Sequence, residues 1–317
     1  MSFAIPRFLD SIDHEIGSYA ARDGYEIHYR RFRPVGPPEA DRPKGHVLIL
    51  HGIQSHSGWY VGSASHLARA GYDVVALDRR GSGMNAGARG DAPGVGTLLA
   101  DVDAARSEVF RSDVVSVVGV SWGGKLAVSY AIDYPRRVGG LILSAPGLAA
   151  RVGYGPWRKL AIVKAVVVSP MKLFPVPIEG AYLFTATPAA LDYIRADRLS
   201  VRWITARMVR TSVAMDRMVA RRAEEVSAPA FLMLAEHDRI VSNEGARRVF
   251  ERFRGVVNRI KLYPGAHHTL EFEPDPSEPF ADMSVFLDDI SAVRPPARPA
   301  SGGPQADPGG VGPPRGG

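Results

Sequence analysis

The fold is decided by one stretch of the chain, Val114-Val115-Ser116-Val117-Val118-Gly119-Val120-Ser121-Trp122-Gly123. Its first half has the composition of a buried strand, and residues 125–134, which follow it, have the pattern of a helix. The strand leads into a Gly-x-Ser-x-Gly pentapeptide, whose glycines let strand and helix approach closely. A serine in such a turn has a strained backbone and projects its hydroxyl above the sheet. Ser121 is therefore predicted to be a nucleophile, and the alternative is a glycine turn that contains a serine by chance.

Short apolar runs alternate with helical patterns along the chain, which is typical of a parallel sheet with crossover helices. The runs predict strands at residues 47–50, 73–77, 114–118, 140–144, 230–235 and 259–262. Helices are predicted at residues 97–110, 125–134 and 243–253. Upstream, residues 15–20 and 25–32 predict an antiparallel hairpin at the sheet edge. The expected fold is α/β, with a mostly parallel central sheet flanked by helices.

The alternation stops between residues 147 and 227, where no β-rich run occurs and prolines divide helical patterns. An insertion of about eighty residues is too long for a connection, so we interpret it as a helical cap inserted between strands. We expect the cap to lie over the carboxyl ends of the strands, where ligands of open α/β sheets bind. The predicted organisation is a core in two parts, residues 1–146 and 228–293, the cap at 147–227, and a Pro- and Gly-rich tail at 294–317 that we expect to be disordered.

The composition is that of an ordinary globular protein, with 45% hydrophobic and 23% charged residues among 317. The absence of cysteine excludes disulfides, a thiol nucleophile and thiolate metal ligands. No apolar run is long enough to cross a bilayer and no signal peptide is recognised, so we expect a cytoplasmic protein. The net charge of +6 comes from scattered basic residues that do not interleave with aromatic ones, which argues against nucleic-acid binding.

Two loops downstream of Ser121 contain the base and the acid that a serine nucleophile needs. Asp238 follows the fifth predicted strand, and His267 and His268 follow the sixth. These loops come at strand carboxyl ends, as Ser121 does, and the chain order Ser…Asp…His is the one expected for this turn. Glu236 competes with Asp238 but directly abuts its strand, and Asp238 could instead be a helix N-cap or turn residue. The residues alone do not decide between the two histidines.

Backbone N–H groups for the oxyanion of a tetrahedral intermediate are expected at two places. One is Trp122, at the start of the helix after the serine, and the other is Ile53, in the loop after the first parallel strand. Gly52 lets that loop turn so that the Ile53 N–H can face the serine, although an ordinary strand-to-loop turn is the alternative. His51 fits an organiser of this loop better than a second base. We also expect His51 and the Trp122 side chain to contact substrate.

These segments resemble the α/β-hydrolase superfamily, and within it the monoacylglycerol lipase and lysophospholipase group with its serine aminopeptidase S33-type domain. The resemblance covers roughly residues 25–290 and includes the pentapeptide. Its other segments are His51-Gly52-Ile53-Gln54-Ser55-His56-Ser57-Gly58-Trp59-Tyr60, Gly71-Tyr72-Asp73-Val74-Val75-Ala76-Leu77-Asp78-Arg79-Arg80-Gly81-Ser82-Gly83, Ser144-Ala145-Pro146-Gly147, the Asp238 loop and Leu262-Tyr263-Pro264-Gly265-Ala266-His267-His268.

The resemblance implies a role for several residues. The family pattern Pro-Gly-x-x-His places the catalytic histidine on His268, with Asp238 as its acid and Ile53 and Trp122 as the oxyanion donors. Asp78, in the family's Asp-x-Arg-Gly turn, is implied to be structural. The chain departs from the family at Trp122, where Met or a small polar residue is usual, and at residues 54–56, where Gly-Glu-His is frequent.

The residues and the resemblance together predict a serine hydrolase that cleaves carboxylic esters through an acyl-enzyme, with neither cofactor nor metal. Monoacylglycerol-like or lysophospholipid-like esters are the expected substrates. An acyltransferase or a thioesterase could use the same residues. A non-catalytic binding protein with this fold would be expected to have lost a member of the triad, and Ser121, Asp238 and His268 are all present.

Residues 157–168 of the cap combine a broad apolar surface with three cations, Arg158, Lys159 and Lys164. If this segment is helical, its apolar side chains could pack on the core and leave the cations in solvent. They could instead shelter an acyl chain and face anionic lipid headgroups. Peripheral contact with membranes is therefore a hypothesis that the sequence leaves open.

Overall fold

The structure is a computed structural model that describes residue 6, residues 9–35 and residues 42–293. The strands of the described part are β1 (Glu15–Ala20), β2 (Glu26–Phe32), β3 (His46–Leu50), β4 (Asp73–Leu77), β5 (Val115–Val120), β6 (Val138–Ser144), β7 (Leu173–Pro175), β8 (Trp203–Thr205), β9 (Ala230–Ala235) and β10 (Asn258–Tyr263). Its α-helices are α1 (Val61–Arg69), α2 (Val95–Ala104), α3 (Trp122–Asp133), α4 (Pro156–Val168), α5 (Pro188–Ala196), α6 (Ala206–Arg222), α7 (Asn243–Phe250) and α8 (Ser277–Val293). The predicted tail, residues 294–317, lies outside the described residues.

The main sheet has eight strands in the order β1-β2-β4-β3-β5-β6-β9-β10. The strands from β4 to β10 pair in parallel, and β1 and β2 form an antiparallel hairpin at one edge, as predicted. Every residue of β4 and β9 is buried, because helices cover both faces of the sheet. The six predicted parallel strands are all present, with ends that differ from the prediction by at most two residues.

The helices differ from the sequence prediction mainly at their ends. The predicted helix at residues 97–110 is α2 followed by a wider π-helical turn, Ala105–Phe110, which ends at Arg111 in the left-handed region with φ of 53°. Residues 97–110 are thus helical as predicted, and apolar spacing does not distinguish an α-turn from a π-turn. None of the helices in the described residues has the length and apolar character that crossing a bilayer requires.

The chain between β6 and β9, residues 145–229, adds no strand to the main sheet, and we call it the insert. It contains α4, α5 and α6, as its helical pattern indicated. It also contains a small antiparallel pair, β7 and β8, that the sequence pattern did not indicate. Strands of three residues, one of which contains proline, are too short to give a recognisable alternation.

The insert is bonded to loops at the carboxyl ends of the main-sheet strands. Gln54, after β3, donates its side-chain amide to the Ile178 carbonyl and accepts from the Val201 N–H, at 3.1 and 2.9 Å. Thr269, after β10, donates its N–H to the Phe184 carbonyl at 2.9 Å. Helix α6 also packs against α3, the helix that follows Ser121. These contacts place the insert over the sheet edge where Ser121 lies, whereas the division into core and cap remains a prediction.

Candidate active site

Ser121 occupies a sharp turn between β5, which ends one residue before it, and α3, which begins one residue after it. Its φ of 52° and ψ of −123° are unusual for a residue with a side chain. The two flanking positions must be glycine, because any side chain there would clash with a neighbouring element. A Cβ at Gly119 would lie 2.7 Å from the Ala127 Cβ on α3, and one at Gly123 would lie 2.1 Å from the Leu50 carbonyl oxygen on β3. The glycines thus let α3 start directly against the sheet and project the serine above it.

A continuous hydrogen-bonded chain joins the side chains of Ser121, His268 and Asp238. Ser121 Oγ lies 2.8 Å from His268 Nε2, and His268 Nδ1 lies 2.7 Å from Asp238 Oδ2. The other carboxylate oxygen, Oδ1, accepts from the N–H groups of Ile240 and Val241, each at 2.8 Å. A carboxylate only accepts, so it holds the imidazole proton on Nδ1 and leaves Nε2 free to take the serine proton.

The two competing residues point away from the serine. His267 donates its backbone N–H to Glu273 at 2.7 Å, and its Nδ1 lies 3.3 Å from the same carboxylate. Glu236 is exposed and accepts from the Gly265 N–H at 2.7 Å. The structure therefore brings His268 and Asp238, rather than His267 and Glu236, to Ser121.

The two predicted oxyanion donors both lie beside the serine. Trp122 is the first residue of α3, so its N–H belongs to the turn that has no acceptor within the helix. Gly52 packs directly on the nucleophile, since a Cβ built on it would lie 3.3 Å from the Ser121 Cβ. Ile53 follows Gly52 and lines the same cavity as Ser121. The role of these two N–H groups in catalysis remains a prediction.

His51 is buried behind the loop that it precedes. Its Nε2 accepts from the Arg79 N–H at 2.9 Å, and its Nδ1 lies 2.7 Å from the Gly52 carbonyl oxygen. Burial holds the pKa of His51 well below its ordinary value, which keeps the ring neutral. The ring lines a small internal cavity with Leu50 and Leu77, not the cavity beside Ser121. His51 thus organises the loop. The expectation that it contacts substrate was wrong, because both of its ring nitrogens contact backbone groups and the ring does not line the cavity of Ser121.

Asp78 has the structural position that the resemblance implied. It is fully buried, and its two carboxylate oxygens accept from the N–H groups of Ser57 and Met84, at 2.7 and 2.8 Å. It therefore ties the loop after β3 to the loop after β4, and both loops support the turn that carries Ser121.

Ser121 opens into a cavity of about 270 Å³ between the sheet edge and the insert. Most of its wall is apolar, and the insert contributes the side chains Val176, Ile178, Ile204, Val209 and Val213. A concave apolar site beside a few polar groups is what a small ligand with a hydrocarbon part requires.

One wall of this cavity is polar and was not foreseen from the sequence. The Trp122 indole donates to Ser212 Oγ at 3.0 Å, and Lys125 contacts the same hydroxyl at 3.4 Å and pairs with Asp216. The Arg79 guanidinium carbon lies 4.7 Å from the centroid of the Trp122 ring. The available signal was that Lys125 lies four residues after Ser121, about one turn into α3, on the side of the helix nearest the serine.

The parallel sheet and the Ser–His–Asp chain above its carboxyl edge define an α/β-hydrolase fold with a serine-hydrolase type of site. The sequence pattern of the serine aminopeptidase S33 family matches residues 41–275, well over half of the chain, which therefore belongs to this family.

Relatives of known name agree with this membership. A monoacylglycerol lipase of Mycolicibacterium smegmatis is 27% identical over 284 residues, which are 87% of this chain and 95% of that protein. Human monoglyceride lipase is 26% identical over 257 residues, 79% of this chain and 82% of the human protein. The crystal structure of Paleococcus ferrophilus monoacylglycerol lipase superposes with a TM-score of 0.75 at 24% identity, covering 83% of this chain and 99% of that one. The predicted fold and family resemblance are confirmed, and the relatives support the class of carboxylic ester hydrolases.

Proposed function

We propose that this protein is a serine hydrolase that cleaves carboxylic esters through an acyl-enzyme. The observation that carries the proposal is the chain of two short hydrogen bonds from Asp238 through His268 to Ser121 Oγ, with the serine on a strained turn at the wall of a cavity. A weakly nucleophilic hydroxyl requires this combination of an adjacent base and an orienting acid.

The reaction follows from the positions of these groups. Ser121 Oγ attacks the ester carbonyl carbon while His268 Nε2 takes the hydroxyl proton, and the carbonyl π electrons move onto the oxygen. The N–H groups of Ile53 and Trp122 hold the resulting oxyanion. As the intermediate collapses, His268 gives its proton to the departing alcohol and leaves an acyl-serine. Water then attacks the acyl carbon with His268 again as the base, and the acid and free serine are released.

Esters of the monoacylglycerol or lysophospholipid type are the substrates we propose. The apolar wall of the cavity suits an acyl chain, and its polar wall suits the hydroxylated or charged alcohol part. Two relatives that align with most of this chain are named monoacylglycerol lipase and monoglyceride lipase, which favours the monoacylglycerol type.

Nitrophenyl esters of increasing chain length test this substrate class. We expect kcat/KM to be higher for octanoyl and decanoyl esters than for the acetyl ester, because only the longer chains fill the apolar cavity. Ser121→Ala provides the background rate. A preference for the acetyl ester would indicate a small-ester esterase and would contradict the lipid proposal.

We further propose that α4 docks the protein reversibly on anionic bilayers. This helix buries only Ile162 and Ala165, whereas Trp157 is 83% and Val167 80% exposed. Such an exposed apolar surface on one helix is typical of an interaction site. Helix α4 itself carries Arg158, Lys159 and Lys164, all exposed, so its surface suits negatively charged headgroups.

Co-sedimentation with phosphatidylglycerol vesicles at low salt tests this docking. Binding is expected for the wild type and is expected to weaken at least about fivefold in Val167→Asp. Val256→Asp is the matched control. Val256 is 85% exposed, but it precedes β10 and therefore lies at the amino end of the parallel strands, whereas the insert lies at their carboxyl ends. Absence of wild-type binding, or an equal loss in both variants, would remove the hypothesis.

A further inference from the structure

Two adjacent buried arginines follow β4, and their charges have different surroundings. Arg80 pairs with Asp101 at 2.8 Å and with Asp23 at 2.9 Å. None of the ion pairs among the described residues includes Arg79. Its guanidinium instead donates to two backbone carbonyl oxygens, those of Ile53 and Arg80, each at 3.2 Å. Arg79 is therefore a buried cation held by carbonyl groups rather than by a carboxylate.

The charge of Arg79 remains in place despite this burial. Burial lowers the pKa of Arg79 to about 10, with Tyr25 and Asp78 acting in the opposite direction. The group is thus protonated at neutral pH. A cation removed from water without a carboxylate partner is costly, and the electron-rich face of the Trp122 ring offsets only a part of that cost. Buried charges without an oppositely charged partner are found most often at functional sites.

The contacts of Arg79 lead to both proposed oxyanion donors. One arm of the guanidinium bonds to the carbonyl of Ile53, and its face lies against the ring of Trp122. The backbone N–H of Arg79 also bonds to His51, the residue that organises the Ile53 loop. Loops after β3, β4 and β5 therefore meet at this one side chain.

We propose that Arg79 is a positioning residue of the oxyanion hole, which holds Ile53 and Trp122 and supplies a fixed positive charge behind them. This inference rests on the proposed function, because the charge that it favours is the oxyanion of the tetrahedral intermediate. A fixed charge acts more strongly in a site with little water than in solution. Among the described residues no carboxylate forms an ion pair with Arg79, and the oxyanion adds a negative charge near it only during the reaction. Arg79 is therefore expected to stabilise the transition state more than the bound ester.

The variant Arg79→Met removes the guanidinium with its charge and keeps an unbranched apolar side chain of comparable reach to the Arg stem. We expect its kcat for a nitrophenyl ester to fall about 10- to 100-fold, with KM changed less than threefold. An alkyl boronic acid becomes a tetrahedral anion on the serine, so its affinity is expected to fall by a similar factor. The affinity of a neutral amide analogue of the substrate is expected to stay within threefold, which a merely structural role of Arg79 would not predict.

Two further variants complete the test. Arg80→Met is the matched control, since the charge of Arg80 is already compensated, and we expect it to lower the unfolding midpoint and leave the kcat of the folded protein within about threefold. Arg79→Gln, which is uncharged but can still donate to the Ile53 carbonyl, takes the place of Arg79→Met if that variant does not fold.

A folded uncharged variant with wild-type kcat would overturn the inference, as would equal losses of affinity for the boronic acid and the amide. A wild-type protein that neither hydrolyses esters nor binds the boronic acid would contradict the proposed function itself, and the role of Arg79 with it.

Discussion

Glu271 is a buried carboxyl group three residues after His268, and it makes the stability of the protein depend on pH. Its Oε1 accepts from the Ser63 N–H at 2.9 Å, at the start of α1. Burial raises the pKa of Glu271 from its ordinary 4.5 to about 7. The folded protein therefore holds this proton more tightly than the unfolded chain does, so its stability falls as the pH rises from about 4.5 to 7. The difference between the two pKa values corresponds to a loss of about 3 kcal/mol in the free energy of unfolding, and this loss is complete above pH 7.

The variant Glu271→Gln keeps an acceptor oxygen for Ser63 and cannot ionise. We expect its free energy of unfolding at pH 8 to exceed that of the wild type by up to about 3 kcal/mol, and the two to agree within about 0.5 kcal/mol at pH 4.5. Urea denaturation at both pH values measures this. Glu244→Gln is the control, because the exposed pair of Glu244 with Arg248 is expected to contribute little. A Glu271→Gln protein that is no more stable than the wild type at pH 8 would refute the reasoning.

Three further predictions concern the site and its support. His268→Gln is expected to lower kcat for ester hydrolysis at least about a thousandfold and His267→Gln less than tenfold, and comparable losses would contradict the assignment. Asp197→Ala removes the carboxylate that accepts from His56 and Trp59, and we expect urea denaturation to show a free energy of unfolding lower by about 3 kcal/mol. Gly119→Ala would place a Cβ 2.7 Å from the Ala127 Cβ, so we expect little folded protein in circular dichroism, and normal folding would count against the required close approach.

The sheet and the position of the serine could be predicted from the sequence because both depend on local patterns. Buried parallel strands appear as short apolar runs, and the Gly-x-Ser-x-Gly turn lies directly between such a run and a helical pattern. The carboxyl ends of parallel strands meet at one edge, which brought the loops of Asp238 and His268 to Ser121. The choice of His268 over His267 came from the family resemblance alone, because adjacent loop residues have no periodicity that distinguishes them.

The polar surroundings of Trp122 could not be predicted, because they depend on contacts between distant segments. Ser212 and Asp216 lie on α6, about ninety residues after Trp122 and Lys125 on α3. No pattern in one segment shows which helix of the insert will pack on α3, or in which rotation. The position of His51 was missed for a related reason, since the fold of its loop decides whether the ring faces the cavity or the sheet.

Labelling by a fluorophosphonate probe tests the central claim most directly, because the probe reacts only with an activated serine. We predict that the wild-type protein is labelled covalently at Ser121 and that Ser121→Ala, folded by circular dichroism, is not labelled. Failure of the wild type to react, or equal labelling of both proteins, would contradict the account.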